Sequence, residues 1–269
     1  MNGWQPAFLW PFALDVVRLS LWMAILAVIF VPLERLFAAR RQRIFRTGFL
    51  EDSVYFFLNG LIIKSILILL LAAVATVLYR LVPAVVQSAA GSLPLWLRVI
   101  AALVVGDIGF YWGHRWAHEI PFLWRFHSVH HSAREIDWLV NTRAHPADIL
   151  FTRLCGFVPL YALGLAQTNA TGLVPVLGVL AGTIWGFFIH GNLRWRFGWL
   201  EWLVATPAFH HWHHSRDSHR DTNYAALLPL IDRLFGTHNL PRSLPPEYGI
   251  DTPMPRGVGR QLLRPLAIR

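Results

Sequence analysis

The chain of 269 residues is poor in charge and nearly empty of two residue types. Asp, Glu, Lys and Arg make up only 14% of it, against roughly 25% in soluble globular domains. That excludes an ordinary water-solvated surface. Cys155 is the one cysteine, which excludes an intramolecular disulfide and any thiolate cluster for zinc or iron–sulfur binding. In its apolar run Cys155 reads as a small packing residue. Lys64 is the one lysine, so the net charge of +9 is nearly all arginine. The arginines stand between apolar runs instead of clustering on one solvated face, so no nucleic-acid partner is expected. The start has no basic n-region and its apolar run is long, so no cleavable signal peptide is expected.

What is present is apolar: 55% of the residues, 13 tryptophans, and a mean hydropathy of +0.44. Stretches near 12–37, 54–82, 95–112, 149–165 and 173–189 are expected to span a membrane, a crossing needing ~20 residues. The last two are short and interrupted by Gly and Pro, so a re-entrant hairpin is the alternative there, and the count is four to five. The expected fold is an all-α integral membrane bundle with a histidine-rich cap.

Arg40, Arg41, Arg43 and Arg46 follow the first stretch; Arg115, Arg125, Arg134 and Arg143 lie between the third and fourth; Arg194, Arg196, Arg216, Arg220 and Arg233 follow the fifth. The connections 83–94 and 166–172 carry no Lys or Arg. The positive-inside rule makes the arginine-bearing segments cytoplasmic, with the N-terminus outside and the C-terminus inside. Three parts are expected: membrane helices over 1–94, a metal-binding catalytic unit over 95–240, and an irregular tail over 241–269. The segment RWRFGWLEWL, near 194–203, reads as a helix in the headgroup plane or, equally, as a cytosolic cap helix.

Histidine carries the chemistry. Residues 113–132 read GHRWAHEIPFLWRFHSVHHS, holding His114 and His118 four apart, then His127, His130 and His131. HHWHHS repeats the second spacing with His210, His213 and His214. Rings at i and i+4 share a helix face, with Cβ atoms ~5–6 Å apart, which lets two imidazoles reach one ion. The adjacent third ring is displaced by ~100°, so one unit can serve two ions. His190 in FFIHGN and His145 in NTRAHP join the set at span ends, though a residue before Pro146 is equally a loop end. Ten imidazoles exceed one ion and fit two. His211, His219 and His238 are assigned to hydrogen bonding. Asp107 and Tyr111 continue the His114–His118 stripe upward, and Asp107 is expected to orient a ligand histidine, a polar helix–helix contact being the alternative. Asp217 and Asp221 are carboxylate partners for ligand rings or turn residues. An all-imidazole donor set suits Zn, Cu, Fe and Ni alike.

The order of these blocks resembles the fatty acid hydroxylase/sterol desaturase superfamily of membrane di-iron oxygenases. DIGFYWGHRWAH, HSVHHS, RAHP, TPAFHHWHHS and NYAALLPLIDRLFGTH follow its pattern in order over residues 95–238. IDWLVNTRAHP and FFIHGNLRWRFGWLEW look most like the bacterial sterol-desaturase-like and alkylglycerol-monooxygenase-like branch. The resemblance implies two irons held by histidine, O₂ as co-substrate, and oxidation of an unactivated C–H bond of a fatty acyl, sterol or ether lipid. It carries His114, His118, His127, His130, His131, His210, His213 and His214 over as ligands, with His190 and His145 beside them. Trp185 and Gly186 stand where other members bear a further histidine, implying fewer ligands at one site. It also implies a lipid from the bilayer as partner and a separate electron donor, a b-type cytochrome or a ferredoxin with its reductase. Localisation is then an inner bacterial membrane with the metal site cytoplasmic. Zinc in a purified sample would reflect affinity order, which places it above ferrous iron. The rival readings are a zinc-dependent membrane hydrolase, with Glu119 or Glu135 as base, and a non-catalytic membrane metal-binding or transport protein.

Overall fold

In a computed structural model, residues 9–166 and 173–267 are described. Among them there is no strand, only helices, turns and two isolated β-bridges. Helices α1 (Leu9–Leu36), α2 (Phe49–Leu81) and α4 (Leu95–Glu119) are long and apolar enough to cross a membrane. Their outer faces confirm the reading of composition: Val28 and Leu69 are 75% and 71% exposed, a cost in water that lipid removes. The short α3 (Ala84–Gly91) links α2 to α4. The fourth and fifth apolar stretches form α6 (Pro146–Ala162), of 17 residues, and α7 (Leu173–His190), of 18. At 1.5 Å per residue these reach about 26 Å, slightly under a hydrocarbon core of about 30 Å. Of the connection 166–172, residues 167–172 lie outside the described residues.

Small residues bring α4 and α6 together. A Cβ on Gly109 would stand 2.2 Å from the Cys155 carbonyl oxygen, and one on Gly113 would stand 2.7 Å from the Cys155 Cβ. Close helix approach through small residues is the membrane packing rule, and Cys155 is the packing residue its run suggested. On the other side, Leu26 and Phe30 of α1 and Phe56 of α2 pack on Trp138, Leu139 and Phe187.

A buried ion network closes the end nearest the histidines. Arg46 Nη2 donates to Asp52 Oδ2 at 2.7 Å, its Nε donates to Asp137 Oδ2 at 2.7 Å, and Arg143 Nε donates to Asp52 Oδ1. All four side chains are at most 7% exposed.

The remaining helices are short, and proline starts them. Pro121, Pro146, Pro207 and Pro229 each stand at the first turn of α5 (Pro121–His127), α6, α8 (Pro207–His213) and α9 (Pro229–Phe235), where a missing N–H costs nothing. Thr206 caps α8, its hydroxyl accepting from the Phe209 N–H. Two expectations are corrected here. RWRFGWLEWL forms no long helix: left-handed Gly198 (φ +58°) opens a single 3₁₀ turn over Gly198–Trp202. The tail is irregular only at first, because α10 (Val258–Ala267) follows, burying Gln261 and Pro265 four residues apart and packing on α5.

Candidate metal centre

Nine histidines meet in two adjacent groups. His114, His118, His127, His131 and His213 form one, and His130, His190, His210 and His214 the other, one ligand nitrogen from each ring lying within 4.8 Å of the rest of its group. Helix α4 brings His114 and His118 to the first group on one face. His127 ends α5, and the 3₁₀ turn His130–Ser132 then divides its neighbours, sending His130 to the second group and His131 to the first. Helix α8 repeats the division: His213 goes to the first group, His210 and His214 to the second. The ~100° between consecutive helical residues is what separates adjacent histidines.

Hydrogen bonds from behind set the tautomers. His114 Nδ1 lies 2.8 Å from the Tyr224 carbonyl, His130 Nδ1 2.9 Å from that of Arg143, His190 Nδ1 2.7 Å from that of Gly186, and His213 Nδ1 2.7 Å from that of Thr222. Carboxylates serve two more: Asp148 at 2.9 Å from His127 Nδ1 and Asp221 at 3.0 Å from His118 Nδ1. A carbonyl or carboxylate only accepts, so these six rings carry the proton on Nδ1 and turn an Nε2 lone pair inward. The inward nitrogens then face one another. Nε2–Nε2 separations are 3.1 Å for His114–His127, 3.1 Å for His118–His131, 3.0 Å for His190–His210 and 3.1 Å for His210–His214. Between His114 and His127, both carrying the proton on Nδ1, lone pair meets lone pair without a hydrogen bond, and His213 Nε2 has no hydrogen-bond partner. A cation satisfies all of them together: two imidazole nitrogens each about 2.1 Å from one ion stand about 3 Å apart when adjacent. The residues fit two imidazole-bound metal ions.

Burial favours the neutral form of His130, His131, His210, His213 and His214. It is the first cause holding His130 down to about 4, with the neighbouring His127 next, and it holds His131, His210, His213 and His214 well below the usual histidine range. An unfolded histidine takes up a proton near pH 6.5, while these folded ones do not, so the unfolded state gains protons as the pH falls. In metal-free protein each such ring costs about 1.4 kcal/mol per pH unit below 6.5, and a few rings exhaust a typical stability of about 5–15 kcal/mol. The melting temperature of metal-free protein is expected to fall steadily from pH 7.5 to 5; a flat profile would contradict the burial of neutral rings.

Both groups border one cavity of about 300 Å³ between α4, α6 and α7. His114 and His127 line it from the first group, His130, His190 and His210 from the second. Away from the histidines its walls are mostly apolar, Ala102, Leu103, Phe157 and Leu160 among them, with Asp107 and Arg153 as charged members.

The segment 223–228 is held firmly for its part in the site. Asn223 takes a left-handed φ of 60° and donates from Nδ2 to the Phe209 and Asn239 carbonyls. Asp232 accepts from the Tyr224 and Ala225 N–H groups, and Asp107 from those of Ala226, Leu227 and Leu228. This fixes the Tyr224 carbonyl that orients His114.

The comparisons agree with this geometry. The family model described as fatty acid hydroxylase matches residues 99–237, which contain all nine clustered histidines. The chain belongs to the fatty acid hydroxylase family. Among relatives, it is 38% identical over 180 residues to an ornithine lipid hydroxylase, OlsE, of Rhizobium tropici, covering 65% of this chain and 52% of that protein. To the alkylglycerol monooxygenase of Danio rerio it is 34% identical over 160 residues, covering 59% of this chain and 34% of that one. A very-long-chain aldehyde decarbonylase, GL1-5, of Oryza sativa subsp. indica is 31% identical over 162 residues, 54% of this chain and 25% of that one. The chain thus spans about half the length of the first of these and about a third or less of the others. No solved structure matches it. Family and apolar helices together make it a membrane protein.

Within this family member, nine of the ten histidines expected as ligands come together, and His145 does not. Its Nδ1 accepts from the Ala147 N–H at 3.1 Å and its Nε2 donates to the Leu262 carbonyl at 3.2 Å, so the residue before Pro146 is a helix cap and both ring nitrogens are spent. Asp107 is also corrected. It orients no histidine but gathers three backbone N–H groups, because it sits two turns from His114 and faces the 226–228 loop. Tyr111 likewise reaches no clustered ring; its hydroxyl meets Thr237 Oγ1 at 2.9 Å and accepts from Arg115 at 3.2 Å. Of the two candidate carboxylates, Asp221 meets His118, whereas Asp217 receives the His219 N–H in a turn. His211 stays outside both groups, donating to the Gly191 carbonyl and accepting from Tyr248. The residue missed is Asp148: an acid in the first turn of a helix reads as a favourable charge at the dipole's positive end, and only the fold shows it against His127.

Proposed function

We propose that the chain is a membrane-bound di-iron oxygenase that hydroxylates or desaturates a C–H bond of a lipid. The observation that carries the reading is the junction of two all-imidazole clusters at one end of an apolar cavity. His114, His118, His127, His131 and His213 would hold one iron, and His130, His190, His210 and His214 the other. Bound there, the metal pair supplies activation of O₂ with two electrons. The protein's own part is binding and exclusion. The cavity walls take the lipid's apolar portion from the bilayer and keep water from the reacting carbon. Asp148, Asp221 and the carbonyls of Arg143, Gly186, Thr222 and Tyr224 hold the rings in one tautomer and one orientation, so that donor atoms need no rearrangement on binding. Glu119 and Glu135, the bases a zinc hydrolase would need, are turned to Arg115 and to the Thr47 N–H, which favours the oxygenase.

Electrons come from a separate b-type cytochrome or ferredoxin. Arg220, lying 5.0 Å over the ring of Trp124, which itself packs on His118 and His131, is suited to such docking on the cytoplasmic side. The test is iron content and reductant-dependent O₂ uptake of anaerobically purified, iron-loaded protein. Two irons per chain, with uptake that rises on adding a membrane lipid extract, is the expected result. A single bound zinc with no O₂ uptake under any donor would sink the oxygenase and promote a hydrolase.

A further inference from the structure

Arg153 has no part in the site so far. It stands in α6, half-buried, on the wall of the cavity that the clustered histidines border. It is the one arginine or lysine among the described lining residues, and among the described residues no hydrogen bond or ion pair reaches its guanidinium. The two carboxylates on the same wall are both engaged elsewhere: Asp148 with His127, and Asp107 with three backbone N–H groups. A cation among apolar helices in a membrane protein is costly and ordinarily finds an anion. The protein supplies none here, although Arg153 faces space that a ligand would fill.

The ligand's chemistry follows from the donor. A guanidinium is always charged and presents its N–H groups as a planar fork, which matches two oxygens of a carboxylate or phosphate. Its place along α6 sets the ligand's direction. Arg153 lies five residues beyond Asp148, about 7–8 Å along the axis at 1.5 Å per residue, so it is near the histidine end of the cavity. Beyond it the walls turn small and apolar. A Cβ added at Gly178 or Gly182 of α7 would meet nothing within 4 Å, which leaves a path beside that helix for a chain.

We propose that Arg153 pairs with an oxyanion, a carboxylate or phosphate, in the headgroup of the lipid that the cavity takes, presenting the headgroup end to the histidines and leaving the acyl chain to run toward Ala102 and Leu160. The proposal rests on the lipid reading given above for the identity of the occupant, but its test needs no turnover. It also separates the substrates named for two relatives: ornithine is an amino acid and bears a carboxyl group, whereas an alkylglycerol bears no charge.

Binding decides it. Full-length protein in the uncharged detergent dodecyl maltoside is loaded with tritiated dodecanoate, and dodecyl phosphate, dodecanol and inorganic phosphate are used as competitors. Dodecanoate and dodecyl phosphate are expected to bind at least about tenfold more tightly than dodecanol, the scale of one charge-assisted pair. Arg153→Gln is expected to abolish that preference with iron content unchanged, and Arg153→Lys to keep part of it. Equal affinity for dodecanol and dodecanoate in the parent protein overturns the proposal whatever the variants do. So does an undiminished preference in Arg153→Gln. Inorganic phosphate competing as well as dodecyl phosphate marks a free-anion site and overturns the lipid assignment. In the parent protein, no selectivity with intact lipid-dependent O₂ uptake refutes only the role of Arg153, and selectivity without O₂ uptake refutes only the oxygenase.

Discussion

His131→Ala and His214→Ala are expected to lose iron and lipid-dependent O₂ uptake, while His145→Ala keeps both. His131 belongs to the five-histidine group and His214 to the four-histidine group, and their rings stack with centroids 4.5 Å apart. Losing a partner behind a ligand typically costs 10–100-fold in metal affinity, so losing the ligand is expected to cost more than about 100-fold. The four-histidine group has less to spare, and His214→Ala should empty its site at iron concentrations where His131→Ala still retains part of its metal. His145 spends both nitrogens on backbone groups, so its removal frays the start of α6 without touching a donor. Iron quantitation on the three variants, purified in parallel, checks this. An iron loss in His145→Ala equal to that in His131→Ala would mean that the grouping of the rings is wrong.

Asp52→Ala is expected to be the most destabilising single change away from the histidines. Asp52 accepts from both Arg46 and Arg143, with none of its side chain exposed. Removing it leaves Arg46 with Asp137 alone and takes from Arg143 its carboxylate partner, in a closed interior. Breaking a buried pair in this way costs about 3–5 kcal/mol, a large part of a total of about 5–15 kcal/mol. The damage should reach the metal site, because the carbonyl of Arg143 orients His130. Thermal denaturation of the purified variant, read beside its iron content, is the measurement. A loss below about 1 kcal/mol would show that the network contributes little.

The sequence made the histidines legible because metal ligation needs particular residue types at helical spacings, and both survive without knowledge of the fold. Even the sharing of each His-x-x-His-His unit between two ions follows from the angle between neighbouring helical residues. His145 misled for a local reason: proline after it makes its ring a cap, which spacing alone does not reveal. Asp107 misled for a distant one. Its partners lie 119 to 121 residues away in the chain, and no stripe on α4 indicates which loop will cross it. Asp148 and Arg153 stayed hidden because an acid in a first helical turn and a lone arginine in an apolar run each have an ordinary explanation. Only the cavity, formed by three helices from separate parts of the chain, shows what they face. Helix length was legible from composition, whereas α10 was not, because Pro and Gly dominate the residues around it.

One consequence of α8 concerns how the two histidine groups are tied together. His213 and His214 are neighbours on a rigid turn yet serve different groups, and His130 and His131 do the same on the other side. The two groups of rings are therefore tied twice over through the span of a single peptide unit. Of the three helices that wall the cavity, α4 and α7 carry rings of the two groups and α6 carries none, so a shift of α6 with bilayer thickness would change the width of the cavity while moving no ring of its own. The paired groups behave as one stapled unit with a single adjustable wall.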